Sequence, residues 1–263
     1  ANLEVAWQLR TFSALSVRGF EHFLPNNDLL ATGLDTTINR IDGKVDLSRE
    51  IQHLIISLDG KWQKENLSMH IDATHVQNAW KLDLATVAIG RNTLRLNSKS
   101  NVGYVWELNI IQPEIIFKGG YGKLQASGSL SELSTDPQLI ASATAKNFGL
   151  QGYAIKNLHL AATPTSINAS ADTLVINTQQ LDKIKFNIIG NLSKHTINGV
   201  LKYQNYPIKI TADGQMRNNI WKTPNLTIIQ DAHTLTGPAT YDLNNNTGKL
   251  GLQGIVFEAN TKI

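Results

Sequence analysis

His70, Asp72 and His75, in the stretch "LSMHIDATHV", form the one local cluster of ligand-type residues in the sequence. In a strand, positions 70 and 72 share a face while 75 falls opposite, unless a bulge intervenes. Donors split across a sheet do not make a metal centre, so the expectation is a solvated strand face and no metal. The carboxylates are equally plain. Asp35, Asp42 and Asp46 lie in a loop-rich stretch where turn chemistry accounts for Asp. With few carboxylates on apolar faces, an acid–base pair of the glycosidase kind is not expected. The sequence has no G-x-S-x-G elbow, no H-E-x-x-H, no Walker A and no dinucleotide-binding glycine pattern. It has no cysteine either, which excludes disulfides, thiol catalysis and Cys-ligated zinc. The expectation is a protein that is not an enzyme and needs no cofactor.

Two further sets of residues invite a chemical reading. Trp7, Trp62, Trp80, Trp106 and Trp221 could stack on carbohydrate or plug the edge of a hydrophobic core. Their recurrence at repeat-equivalent positions favours the core or edge role. Asn-x-Ser/Thr occurs at Asn66, Asn168, Asn191 and Asn225, and in so Asn-rich a chain these read as coincidence. The formal charge is +3 over 263 residues, and the basic residues are scattered without a run. A nucleic-acid footprint is therefore not expected.

The elements that carry these residues announce themselves by period-two alternation. Ile167, Ala169, Ala171 and Val175 point one way; Asn168, Ser170 and Asp172 point the other. The same holds for Ile184/Phe186/Ile188, for Ile208/Ile210/Ala212, for Leu67/Met69/Ile71/Ala73 and for Leu158/Leu160/Ala162. Polar faces of Asn, Thr, Ser and Lys suit an antiparallel sheet wetted on one side. Asp42-Gly43, Asp59-Gly60, Asn198-Gly199 and Asp213-Gly214 suggest tight hairpins, and "LNNNTGKL" (243–250) a longer one. Asp136-Pro137, Thr163-Pro164 and Tyr206-Pro207 suggest strand starts. The best helix candidate, "LSREIQHLIISLDG" (47–60), reads more easily as a strand at its end. About sixteen strands of common length fit.

"VAWQLRTFSAL" (5–15) resembles "YVWELNIIQPEI" (104–115), which implies a degenerate repeat of approximately 1–102 and 103–263 within one continuous segment, 1–263. The chain opens "ANLEVAWQLR" and closes in mid-alternation, so an excised piece of something longer is expected. What the apolar faces cover decides function. An ordinary sandwich core is one answer. The inward set, however, includes Ala141, Ala143, Ala145, Ala169, Ala171 and Gly199, which fill volume poorly. A trough would leave room there for a ligand.

"GSLSELSTDPQLIASATAKNFGLQGYAIKNLHLAAT" (128–163) resembles the recurring unit of the TamB family, within the wider AsmA-like group. It runs Gly-x-Leu, a spacer, Pro-x-Leu, a strand ending in Asn147-Phe148, then Ile-x-x-Leu-x-Leu. "GNLSKHTINGVLKYQNYPIKITADGQMRNNIWKTPNLTI" (190–228) is similar to the unit that follows it, and "AWKLDLATVAIGRNTLRL" (79–96) to a further segment. Cysteines common in the family at 97–125 are absent here. The resemblance implies an all-β fold: an elongated, twisted antiparallel or mixed sheet curled into an open hydrophobic groove, with little or no helix. It implies a periplasmic segment of an inner-membrane-anchored protein that shields phospholipid acyl chains between the inner and outer membranes. The alternative is a structural module assisting outer-membrane protein assembly by strand pairing with an Omp85-type, TamA-like barrel. If acyl chains are the cargo, the expected lining is Leu158, Leu160, Ile167, Ala169, Val175, Ile184, Phe186, Ile188, Ile197, Leu201, Ile208, Ile210, Leu226 and Ile228, the apolar-parity positions of successive strands.

Overall fold

Alternating apolar and polar side chains can be buried on one side only when the backbone is extended and its amides pair with neighbouring strands. The computed structural model describes residues 4–13, 36–47, 52–76, 79–99, 103–131, 139–191, 193–244 and 247–251. Asp35, Asp136-Pro137 and the segment beyond Gly251 lie outside the described residues. The described residues form eighteen strands. In order they are β1 (Glu4–Ser13), β2 (Thr36–Leu47), β3 (Gln52–Trp62), β4 (Glu65–Val76), β5 (Ala79–Ile89) and β6 (Asn92–Lys99). Then come β7 (Gly103–Ile110), β8 (Tyr121–Leu130), β9 (Leu139–Leu150), β10 (Tyr153–Lys156), β11 (Leu158–Thr163) and β12 (Ser166–Ile176). The last are β13 (Gln179–Asn191), β14 (Lys194–Tyr203), β15 (Tyr206–Arg217), β16 (Ile220–Gln230), β17 (His233–Asp242) and β18 (Thr247–Leu250). A single 3-10 turn, Pro113–Ile115, is the helical content among the described residues. The fold is all-β, and residues 52–60 of the helix candidate are strand β3.

Two compact units divide the chain, Ala1–Ala154 and Ile155–Ile263. In the first, β1 to β9 form an antiparallel meander in which each strand pairs with the next. In the second, β11 to β18 do the same.

The hairpins do not fall where the Gly dipeptides suggested. Asp42-Gly43, Asp59-Gly60, Asn198-Gly199 and Asp213-Gly214 all lie inside strands. The chain turns instead at pairs such as Gln204-Asn205 and Asn218-Asn219, where both residues hold positive φ, the signature of a type I′ hairpin. The glycines inside the strands serve close approach rather than backbone freedom. A Cβ at Gly199 would strike the ring of Phe186 opposite, and one at Gly214 would strike Trp221 and His195.

In the first unit the β7–β8 connection folds back over the turn end of β3 to β6. Asn92, 3% exposed, accepts from the amides of Ile111 and Gln112 and donates to the Gln112 carbonyl. Trp62 donates its indole N–H to the Ile115 carbonyl at 3.1 Å, and Pro113 is fully buried beneath. Four hydrogen bonds fix the connection there.

Candidate functional site

One face of β11 to β17 in the second unit is apolar throughout its register. Residues directly opposite in an antiparallel pair share a face, so the register traces it strand by strand. Leu160 sits opposite Ala169, with Leu158 two residues along on the same side. Ile167, Ala169 and Ala171 sit opposite Ile188, Phe186 and Ile184. Phe186 and Ile188 continue to Gly199 and Ile197, which continue to Ile210 and Ala212. Leu201 faces Ile208; Ile210 and Ala212 face Ile228 and Leu226. On β17 the face ends at Leu235, Gly237 and Ala239.

Every expected lining residue except Val175 falls on this face. Val175 is displaced by an irregularity. Lys183 has φ of 50°, and the β13–β14 register slips by one between Asp182 and Lys185. Beyond the slip, Leu181 rather than Asp182 shares the face of Ile184, and its partner on β12 is Leu174. Val175 sits opposite Gln180 on the other side. Leu174 and Leu181 instead pack on the cluster of Ala171, Ile184 and Leu201, along with Tyr203 and Ile155. The signal for Leu174 and Leu181 was present in the sequence as a change of parity, Ala171 to Leu174 and Ile184 to Leu181.

Coverage along this face is uneven. Ala171, Ile184 and Leu201 are buried, whereas Ile167 is 38% exposed and most of the others are half-buried. The members of the buried cluster and the side chains packed on it all come from the strands of this same unit. The opposite face is polar and laddered: Asn187 donates to Asn168 at 2.6 Å, Thr196 to Asp213 at 2.7 Å, and Thr227 bonds Thr236 at 3.3 Å.

At the turn end, Trp221 donates its indole N–H to Nε2 of the buried His195 at 2.8 Å. That leaves Nδ1 of His195 to donate to the Asn191 carbonyl, 3.1 Å away. Beside them an open cleft of about 530 Å³ has Lys194 and Lys222 on its rim. The tryptophans thus serve edges and packing. Trp106 lies against Gly128, Trp62 and Trp221 anchor turns, and Trp80 meets His75 at a 50° tilt with ring centroids 5.1 Å apart. The side chain of Trp7 lies outside the described residues, although its register partner is Gly43.

On the polar face of the first unit, His70 and Asp72 share a side, as alternation requires, and His75 is on the other. His70 bonds Ser57 through Nδ1 at 2.9 Å. Asp72 pairs with His53 across β3 and β4. Asp83 joins these two, the ligand atoms of all three lying within 4.8 Å of one another.

A sheet run with one apolar and one hydrogen-bonded polar face, repeated through strand after strand, is the geometry to compare with known proteins. The model of the TamB N-terminal domain matches residues 41–251. The chain belongs to the TamB family. No curated protein and no solved structure matches it. As a TamB-family chain it has a role in envelope and outer-membrane biogenesis, in association with outer-membrane assembly machinery. No helix among its described residues is long and apolar enough to cross a membrane.

Proposed function

We propose that this TamB-family segment is a non-enzymatic, periplasmic conduit that shields phospholipid acyl chains along the apolar face of β11 to β17. The observation that carries the reading is the register-continuous apolar face, which is only half-buried at most of its positions. Water is a poor partner for so long an apolar strip, and large uncovered patches mark binding surfaces. Each methylene taken from water gains about 0.8 kcal/mol. An acyl chain therefore binds through many equal contacts, none of which holds it in place. Headgroups stay at the wetted seam.

The test compares charges on the two faces. Ile188→Asp and Ile210→Arg put an ion on the apolar strip; Ile189→Asp puts one on the polar face, where Ile189 is already 57% exposed. An unpaired charge on the acyl path costs several kcal/mol of lipid binding. Mass spectrometry of the purified proteins should show phospholipid with the parent and with Ile189→Asp, and several-fold less with the other two at near-native melting temperature. Parent protein that carries no phospholipid would refute the conduit, and so would collapse of folding in both apolar-face variants. Either result would favour the role of a packed module that assists assembly by strand pairing with an outer-membrane barrel.

A further inference from the structure

The polar face of the first unit holds a cluster that the acyl-chain reading does not use. His53 on β3, Asp72 on β4 and Asp83 on β5 come from three adjacent strands, and their ligand atoms all lie within 4.8 Å of one another. Uninterrupted alternation would not bring Asp83 here. Ala85, Val87 and Ile89 sit opposite Ile71, Met69 and Leu67 on the apolar side, so a regular β5 would turn Asp83 to that side as well. The register slips between Asp72 and Ala73: Asp72 pairs with Leu84, Ala73 pairs with Leu82, and Asp83 is the extra residue. A bulge of this kind re-aims a side chain. Here it delivers a second carboxylate beside the first, where Thr74 Oγ1 donates to Asp83 Oδ2.

The charges do not balance within the cluster. Two carboxylates face one imidazole, which supplies at most a single positive charge. Lys81, opposite Thr74 on the same face, forms no ion pair with either carboxylate among the described residues. A divalent cation would neutralise both. The donor set also selects among cations. Calcium takes six to eight oxygens and magnesium keeps an octahedral oxygen shell, for which two carboxylates on a flat sheet are too few. One imidazole nitrogen and two carboxylate oxygens suit zinc or a related transition ion, with water completing the coordination. All three side chains are half-buried, which lowers competition from bulk water without closing the entry path.

We infer that His53, Asp72 and Asp83 form a binding site for a divalent transition metal ion, zinc by preference, that ties β3, β4 and β5 together on the polar face. The site lies in the first unit and shares no residue with the proposed acyl path, so its failure would leave that reading untouched.

Isothermal titration calorimetry of the purified protein with zinc chloride tests it, with calcium and magnesium chlorides as comparison ions. One zinc per chain is expected, with little or no heat from the other two. Asp83→Asn and His53→Gln should each weaken zinc binding at least tenfold, while Asp59→Asn, a carboxylate on the same face outside the cluster, should leave it unchanged. Zinc should raise the melting temperature of the parent in a concentration-dependent way and that of Asp83→Asn only at correspondingly higher concentration. Circular dichroism of each variant separates lost binding from lost folding. Asp83→Asn removes one negative charge from the metal-free cluster, so it should fold at least as well as the parent. Absence of saturable zinc binding, or tight binding retained in both cluster variants, would overturn the inference.

Discussion

Gly199 shows what a single residue decides in this fold. Strand propensity alone would favour Val over Gly in the middle of β14, because a branched side chain suits a pleated surface. The ring of Phe186, directly opposite, occupies the space a side chain at 199 would need. Trp106 over Gly128 and Tyr121 over Gly149 repeat the arrangement in the first unit. An aromatic ring laid across a cross-strand glycine restores the packing that the glycine lacks. Gly199→Val should therefore destabilise the protein by about 1–3 kcal/mol, the usual range for overpacking, rather than stabilise it. In a Phe186→Ala background the same substitution should cost much less. Urea denaturation of the two single variants and the double variant measures the coupling. Strictly additive free energies would show that the ring and the glycine do not act as a pair.

At the scale of the strand, alternation made the elements legible and the bulges limited how far it could be followed. Period two identified the apolar face of β11 to β16 through Leu160, Ile167, Ile188, Ile197, Ile210 and Ile228, all of which share it by register. It failed at Val175, because counting by twos assumes no change of parity, and β12 changes parity between Ala171 and Leu174 in step with the irregularity at Lys183 on β13. The same assumption hid Asp83: its neighbours in sequence gave no sign that it would meet His53, thirty residues earlier and two strands away. The Gly dipeptides misled for a different reason. Asp-Gly and Asn-Gly permit a tight turn but do not require one, and the space beneath an aromatic ring demands glycine just as strongly. Deleting Lys183 should remove the slip against β14 and move Leu181 from opposite Leu174 to opposite Thr173 on β12, costing about 2 kcal/mol or more for the one Leu left without its packing partner. Lys183→Gly keeps the count and relaxes the positive φ, so it should change stability by no more than about 1 kcal/mol. Thermal unfolding of the pair discriminates. Equal melting temperatures would mean that the inserted residue does not set the register.

For the molecule as a whole, the pairing pattern constrains how the fold can come apart. Within each unit a strand pairs chiefly with its sequence neighbours, as in a repeat protein, so stability is close to a sum of local terms. A strand in mid-run is held on both sides; among the described residues β1 is held chiefly by β2 and β18 chiefly by β17. Native-state hydrogen exchange should therefore be graded, with the amides of β4 and β14 slowest and those of β1 and β18 fastest. A packed sandwich, whose two layers open together, would instead give nearly uniform protection in its core strands. The proposed cargo sharpens the contrast. A phospholipid that lies across several strands binds the native run and not the opened one, so it should slow exchange across β12 to β16 together. Exchange measured with and without added lysophospholipid reads both effects. Uniform protection that lipid leaves unchanged would mean that the apolar face is already covered and carries nothing.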